Sequence, residues 1–171
     1  MKKIIFVLST MALFLFAQTV KAQTKDIVDT AVSVDDFSTL VTALKAADLV
    51  SALKGDGPFT VFAPLNSGFA KIDSSTLNSL LQPENKAQLS AILTYHVVSG
   101  KIVAADVAAA LKKGNGKAEL TTLNGAKVTA VGKDGGIYLK DAKGNYSKIA
   151  KTDVMASNGV IHIIEDVVMP N

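Results

Sequence analysis

For metal ligation by nitrogen or sulfur, the 171-residue chain offers two histidines, His96 and His162, and no cysteine. Structural and catalytic zinc sites draw three or four such ligands at short spacings, and neither histidine has a partner at ligand spacing. His96 ends an apolar stripe of helical period and His162 stands inside an apolar strand pattern. Both therefore read as buried rings hydrogen-bonded to backbone or hydroxyl groups, and no metal or other cofactor is expected. A nucleophilic serine on a strand-to-helix elbow needs Gly-x-Ser-x-Gly. Ser67 has Leu65 and Ser157 has Met155 where the first glycine belongs, so both read as capping or turn residues. Gly116-Lys117-Ala118 lacks the hydroxyl of a phosphate loop and has Leu111 at the upstream glycine position. Asp141-Ala142-Lys143-Gly144-Asn145 puts a cation where the third-position oxygen of a calcium loop belongs. The acidic pairs Asp35-Asp36 and Glu165-Asp166 are adjacent in sequence and cannot face each other across a cleft. No catalytic set survives, and the chain reads as a non-enzyme.

The elements that would position these residues fall into two runs. Phe37, Leu40, Val41 and Leu44 repeat at i, i+3, i+4 and i+7, with Ser33, Asp35 and Asp36 as capping candidates. Leu49 and Leu53 continue a short helix that Gly55-Asp56-Gly57-Pro58 ends. Phe59-Thr60-Val61-Phe62-Ala63 has the content of a buried strand stopped by Pro64. Asn66 is placed to cap a short helix through Phe69 and Ile72, and Asp73 to start another carrying Leu77, Leu80 and Leu81. Pro83 suits a first helical position before Leu89, Ile92, Leu93 and His96, and the chain then turns at Ser99-Gly100. Val103, Val107 and Leu111 predict one more helix.

Beyond that the period becomes two. Asn124-Gly125, flanked by Leu120-Thr121-Thr122-Leu123 and Ala126-Lys127-Val128, predicts a hairpin with positive φ at both turn positions. Further strands are expected over Ile137-Tyr138-Leu139-Lys140, Tyr146-Ser147-Lys148-Ile149 and, opened by Gly159, Val160-Ile161-His162-Ile163-Ile164. A helical N-terminal half and a strand-rich C-terminal half predict an α+β domain with a largely antiparallel sheet or sandwich.

Residues 1–22 read as an export leader. Lys2 and Lys3 precede an apolar run over residues 4–17, and Val20-Lys21-Ala22 has the form of a cleavage site. The run is shorter than the roughly 20 apolar residues of a spanning helix. The expectation is a single mature domain over residues 23–171, with no transmembrane anchor and no lipid-anchor signal in its last residues. All 18 basic residues are lysine; three leave with the leader, so 15 lysines face 15 acidic residues. Formal neutrality without arginine excludes nucleic acid as the expected partner, since bidentate guanidinium contacts are missing. Without cysteine no disulfide can hold the fold, and the 49% hydrophobic composition must supply the core.

Three segments together resemble the fasciclin domain family. The first is Gly57-Pro58-Phe59-Thr60-Val61-Phe62-Ala63-Pro64-Leu65-Asn66-Ser67-Gly68-Phe69, similar to the family form Thr-Val-Phe-Ala-Pro-Thr-Asn-x-Ala-Phe, from which Leu65 and Gly68 depart. The second, Leu93-Thr94-Tyr95-His96-Val97-Val98-Ser99-Gly100, is similar to the central Tyr-His motif. The third, Asn158-Gly159-Val160-Ile161-His162 onward to Pro170, is similar to the closing strand. The resemblance implies a wedge-shaped antiparallel β-sandwich with helices packed on it. It also implies an exported, periplasmic or extracellular adhesion or interaction module at a bacterial cell surface, binding protein, matrix polymer or polysaccharide. Tyr95 and His96 are carried over as partner-binding candidates. Thr60, Phe62, Pro64, Asn66, Phe69, Tyr95, His96, Asn158, Gly159, His162 and Pro170 are carried over as motif residues of structural role. The exposed loops at 112–117 and 140–145 are further contact candidates. A periplasmic carrier of a small ligand is the alternative, since sheet and helices can enclose an apolar cleft.

Overall fold

Helix forms where apolar residues recur three and four apart: α1 (Ile27–Val32), α2 (Ser38–Ala46), α3 (Val50–Leu53), α4 (Asn66–Phe69), α5 (Ser74–Leu80), α6 (Lys86–Tyr95) and α7 (Ala104–Lys113). Strands β1 (Phe59–Pro64) and β2 (Val97–Ser99) interrupt this stretch, and β3 (Lys117–Thr121), β4 (Lys127–Lys133), β5 (Gly136–Lys140), β6 (Tyr146–Ala156) and β7 (Gly159–Ile164) follow it. These come from a computed structural model that describes residues 25–171; the leader expected at 1–22 lies outside the described residues. The fold is α+β.

The strands form one sheet in the order β2-β1-β7-β6-β5-β4-β3. It is mixed rather than purely antiparallel, because β1 and β7 run parallel, from Phe59 opposite Gly159 to Pro64 opposite Ile164. A parallel pair needs a long crossover, and here most of the domain is that crossover. Both strands are covered on both faces. Val61 and Ile161 face one core and Phe62 and Ile164 the other, which accounts for continuous apolar runs in place of alternation.

The first core lies between β1, β7 and helices α1, α2 and α6, and includes Phe37, Leu40, Leu44 and Leu93. The second is built on Phe62, Tyr95, Val128, Leu139 and Ile164. β6 serves both halves of the sheet: its start pairs with β5 and its end with β7, across register shifts between Ile149 and Val154. Such bulges bend a strand and sharpen its twist. The far edges of the sheet then meet, with Val98 of β2 bridged to Thr122 and the Leu123 N–H donating to Val97 O at 2.8 Å.

Two turns sort out by backbone sign. Asp134 and Gly135 both have positive φ, 49° and 73°, and make the two-residue turn between β4 and β5. The Asn124-Gly125 turn differs from expectation, since Gly125 (φ 84°) has positive φ and Asn124 does not. Thr122 N–H donates to Ala126 O at 2.9 Å, which makes a three-residue loop. Asn124 closes it by accepting from Ala126 N–H at 2.9 Å and donating to Ala91 O at 3.1 Å, so its side chain ties the loop to α6.

Candidate functional site

Most motif residues turn out to be fasteners between elements. Thr60, fully buried, donates its hydroxyl to Gly100 O at 2.7 Å and accepts from Ile102 N–H at 2.8 Å, joining β1 to the segment after β2. Phe62 stacks on His162 with ring centres 5.5 Å apart. Pro64 ends β1 in the interior, and Phe69 packs into the first core. At Gly159 a Cβ would meet Phe59 O at 2.0 Å, so only glycine lets β7 and β1 approach this closely. Pro170 is half-buried and borders, with Leu80 and Met169, a shallow trough of about 250 Å³.

Asn66 does not cap the helix it begins. Its Oδ1 accepts from Thr39 N–H at 2.9 Å and its Nδ2 donates to Asp35 O at 2.9 Å, so it caps α2, which has no side-chain cap of its own. Ser33, Asp35 and Asp36 are not free for that task, since Asp35 and Asp36 are wound into a 3-10 turn and Ser33 bonds back to Thr30 O. Asn158 works on two helix ends: Oδ1 accepts from Ile27 N–H at 3.0 Å, and Nδ2 donates to Leu53 O at 2.8 Å and Gly55 O at 3.0 Å. Asp153, which the sequence reading did not single out, has φ 58° at the β6 bulge and accepts from Ala104 N–H at 2.8 Å, at the start of α7. Asp73 is the local cap the sequence predicts, accepting from Ser75 and Thr76 N–H at 3.1 Å; those bonds, the Ser75 hydroxyl foremost, hold its carboxyl below the usual range.

Tyr95 and His96 are 0% and 2% exposed, so neither presents a surface to a partner. The Tyr95 hydroxyl donates to Lys127 O at 2.8 Å, and burial, with the Asp141 carboxylate nearby, pushes its pKa up. His96 Nδ1–H donates to Ile92 O at 2.8 Å while Nε2 accepts from Val168 N–H at 3.1 Å. This fixes a neutral ring, and burial lowers its pKa to about 4. His162 uses the other tautomer: Nε2–H donates to Ile102 O at 2.8 Å and Nδ1 accepts from Asp153 N–H at 3.3 Å. All four ring nitrogens are thus spoken for, and the described residues hold no group of three or more His, Cys, Asp or Glu suited to a metal.

What the fold does expose is the outer face of β3–β6. Tyr146, 46% exposed, has the ammonium groups of Lys133 and Lys140 each 5.7 Å from its ring centre. Beside it opens a trough of about 650 Å³ edged by Lys71, Asn145, Tyr146, Asp166 and Met169, with Lys71 and Asp166 ion-paired to each other. The 140–145 loop supplies one rim of this trough. The 112–117 loop lies at the opposite end of the hairpins, where Gly116 O accepts from Gly132 N–H at 3.0 Å. The first core encloses an apolar cavity of about 20 Å³ bordered by Leu40, Leu44, Val61, Phe62 and Ile161. That is room for about one water molecule. No described helix is long and apolar enough to cross a membrane.

The fold and the three motifs have a known counterpart. The fasciclin domain model matches residues 35–170, and the chain belongs to the fasciclin domain family. Protein sll1483 of Synechocystis sp. is 49% identical over 144 residues, covering 84% of this chain and 73% of that protein. Transforming growth factor-beta-induced protein ig-h3 of Sus scrofa is 34% identical over 134 residues, 78% of this chain and 18% of that protein. Among solved structures, a FAS1 domain pair from the insect cell adhesion molecule fasciclin I superposes with a TM-score of 0.74 at 18% identity, over 85% of this chain and 51% of that one.

Proposed function

We propose that the protein is an exported, non-enzymatic interaction module that binds a protein or polymer at the cell surface or in the extracellular matrix. The observation that carries this is membership of the fasciclin domain family over residues 35–170, a family that includes the matrix-type relative ig-h3. In this reading residues 1–22 are removed on export, residues 23–171 are the working domain, and its destination is the periplasm or the cell exterior. The bent sheet, closed where β2 meets the β3–β4 turn, is the wedge-like sandwich of the family. The motif residues, Tyr95 and His96 included, hold that scaffold, and contact falls to the exposed faces. The small-ligand carrier is the weaker reading: its apolar cavity of about 20 Å³ falls far below the roughly 300–1,000 Å³ of ligand pockets.

Purified mature protein, titrated onto envelopes of its own cells, should bind saturably and lose that binding on unfolding. Absence of saturable binding overturns the reading. Mass analysis of the exported form should place its first residue at Gln23; residues 1–22 found on that form would overturn the leader.

A further inference from the structure

The formal neutrality of residues 23–171 hides a separation of charge. Between Lys112 and Lys151 the chain carries nine lysines against three acidic residues, and one of those three, Asp141, is buried. Over the rest of residues 25–171 the balance reverses, with six lysines against twelve acidic residues. The strand period places four of these nine lysines on one surface. Val128, Ala130, Leu139 and Ser147 point inward, so their neighbours Lys127, Lys133, Lys140 and Lys148 share the outer face with Tyr138 and Tyr146.

The register interleaves cations and rings across neighbouring strands. Lys140 stands opposite Tyr146, and Tyr138 stands opposite Lys148. Acidic neighbours offset part of the charge: Glu119 pairs with Lys127 at 2.6 Å, Asp134 approaches Lys133 at 3.9 Å, and Glu165 donates its N–H to Lys148 O at 3.0 Å and so borders that lysine. Lys117, Lys140 and Lys148 have no carboxylate within 4.0 Å among the described residues. The lysines near Tyr146 are held there by an exposed cation–π contact, a weak restraint that an incoming anion displaces, freeing the ring face.

Building on the proposed module reading, we infer that this face, centred on Tyr146, docks an acidic polysaccharide of the polyuronate type. Such a chain carries on each ring both an apolar C–H face to lie on a tyrosine and a carboxylate to meet an ammonium. Point-charge lysines suit single carboxylates, whereas phosphate recognition favours the guanidinium fork that this sequence lacks. The lysine rows carry no cluster of exposed apolar side chains for a membrane: Val32 and Val34 lie at the end of α1, Leu123 stands alone in the β3–β4 turn, and Met155 is on the far half of β6 beyond its bulge.

Calorimetric titration of the mature protein with polygalacturonate, poly-L-glutamate and neutral dextran tests this. Polygalacturonate should bind about tenfold more tightly than poly-L-glutamate, and dextran should not bind. Tyr146→Ala should weaken polygalacturonate binding about tenfold, and Lys140→Gln with Lys148→Gln should weaken it and flatten its salt dependence, while Lys101→Gln, outside the face, changes nothing. Melting temperatures check that each variant is folded, and Tyr146→Thr stands in if the alanine variant is not. Equal affinity for the two polyanions, or no loss in either Tyr146 variant, overturns the inference, as does absence of polygalacturonate binding. If that happens while native envelopes still bind saturably, only the polyuronate assignment falls; if envelope binding is absent too, the module reading falls with it.

Discussion

The ring of His96 reaches Val168, 72 positions along the sequence, accepting its N–H at 3.1 Å on one nitrogen while the other donates to Ile92 O at 2.8 Å. The C-terminal segment is thereby fastened to the end of α6, beside the second core. His96→Ala leaves the buried Val168 N–H unpaired and opens a void. Together these should cost about 2–4 kcal/mol, read as a lower denaturation midpoint with an unchanged slope. An unchanged midpoint would show that water or a backbone shift replaces the ring.

The same ring makes stability depend on pH. Its pKa is about 4 in the folded protein against an ordinary value of 6.5, so below 6.5 the unfolded chain binds the proton and the folded one does not. The contribution is complete above pH 6.5 and is lost as pH falls toward about 4, where it levels off. The total loss is on the order of 3 kcal/mol. Chemical denaturation of wild type and His96→Phe between these pH values should show a steeper loss of stability in the first, the carboxylates common to both contributing the remainder; parallel curves would remove His96 as the cause.

Asn66 and Asn158 should be far more sensitive than exposed asparagines. Asn66→Ala strips α2 of its cap and should cost about 1–2 kcal/mol. Asn158→Asp keeps the acceptor for Ile27 N–H but turns a carboxylate on the Leu53 and Gly55 carbonyls, which lose their donor. The loss should match or exceed that of Asn158→Ala, about 2–3 kcal/mol, because the alanine leaves no charge there. Thermal unfolding of the three variants decides it, and an aspartate variant as stable as wild type would contradict the assignment.

These staples also mark where reading the chain reaches its limit. The stripes of α2 and α6, the strand β1 and the closing strand β7 are legible because their apolar spacing is fixed by the core they face. The destination of a side-chain hydrogen bond is not: Asn66 opens a helix, looks like its cap, and serves one that ends 20 residues earlier. β2 was hidden because Val97-Val98 directly continues the apolar stripe of α6. The far half of β6 was hidden because its bulge sets Lys151, Thr152 and Asp153 out of alternation. The lysine face was within reach, since a tally of charge by segment rather than by chain reveals it. Its pairing with Tyr146 needed the strand register.

At Gly68 the sequence departs from the alanine of the family form it resembles, and two effects compete over restoring it. Alanine is the better helix former, by about 1 kcal/mol. Against this, a Cβ at Gly68 would stand 2.6 Å from Glu165 O and 3.1 Å from Asp166 Cα, both backbone atoms of the segment after β7. Relief requires α4 to withdraw from that segment, straining the Lys71–Asp166 ion pair and the packing of Phe69. Overpacking against backbone costs about 1–3 kcal/mol, so the clash should outweigh the propensity and Gly68→Ala should lower the melting temperature. Gly159→Ala, whose Cβ would fall 2.0 Å from Phe59 O inside the paired strands, should be the worse of the two. A Gly68→Ala variant at least as stable as wild type would mean that α4 moves freely, and that glycine here is not required by the close approach.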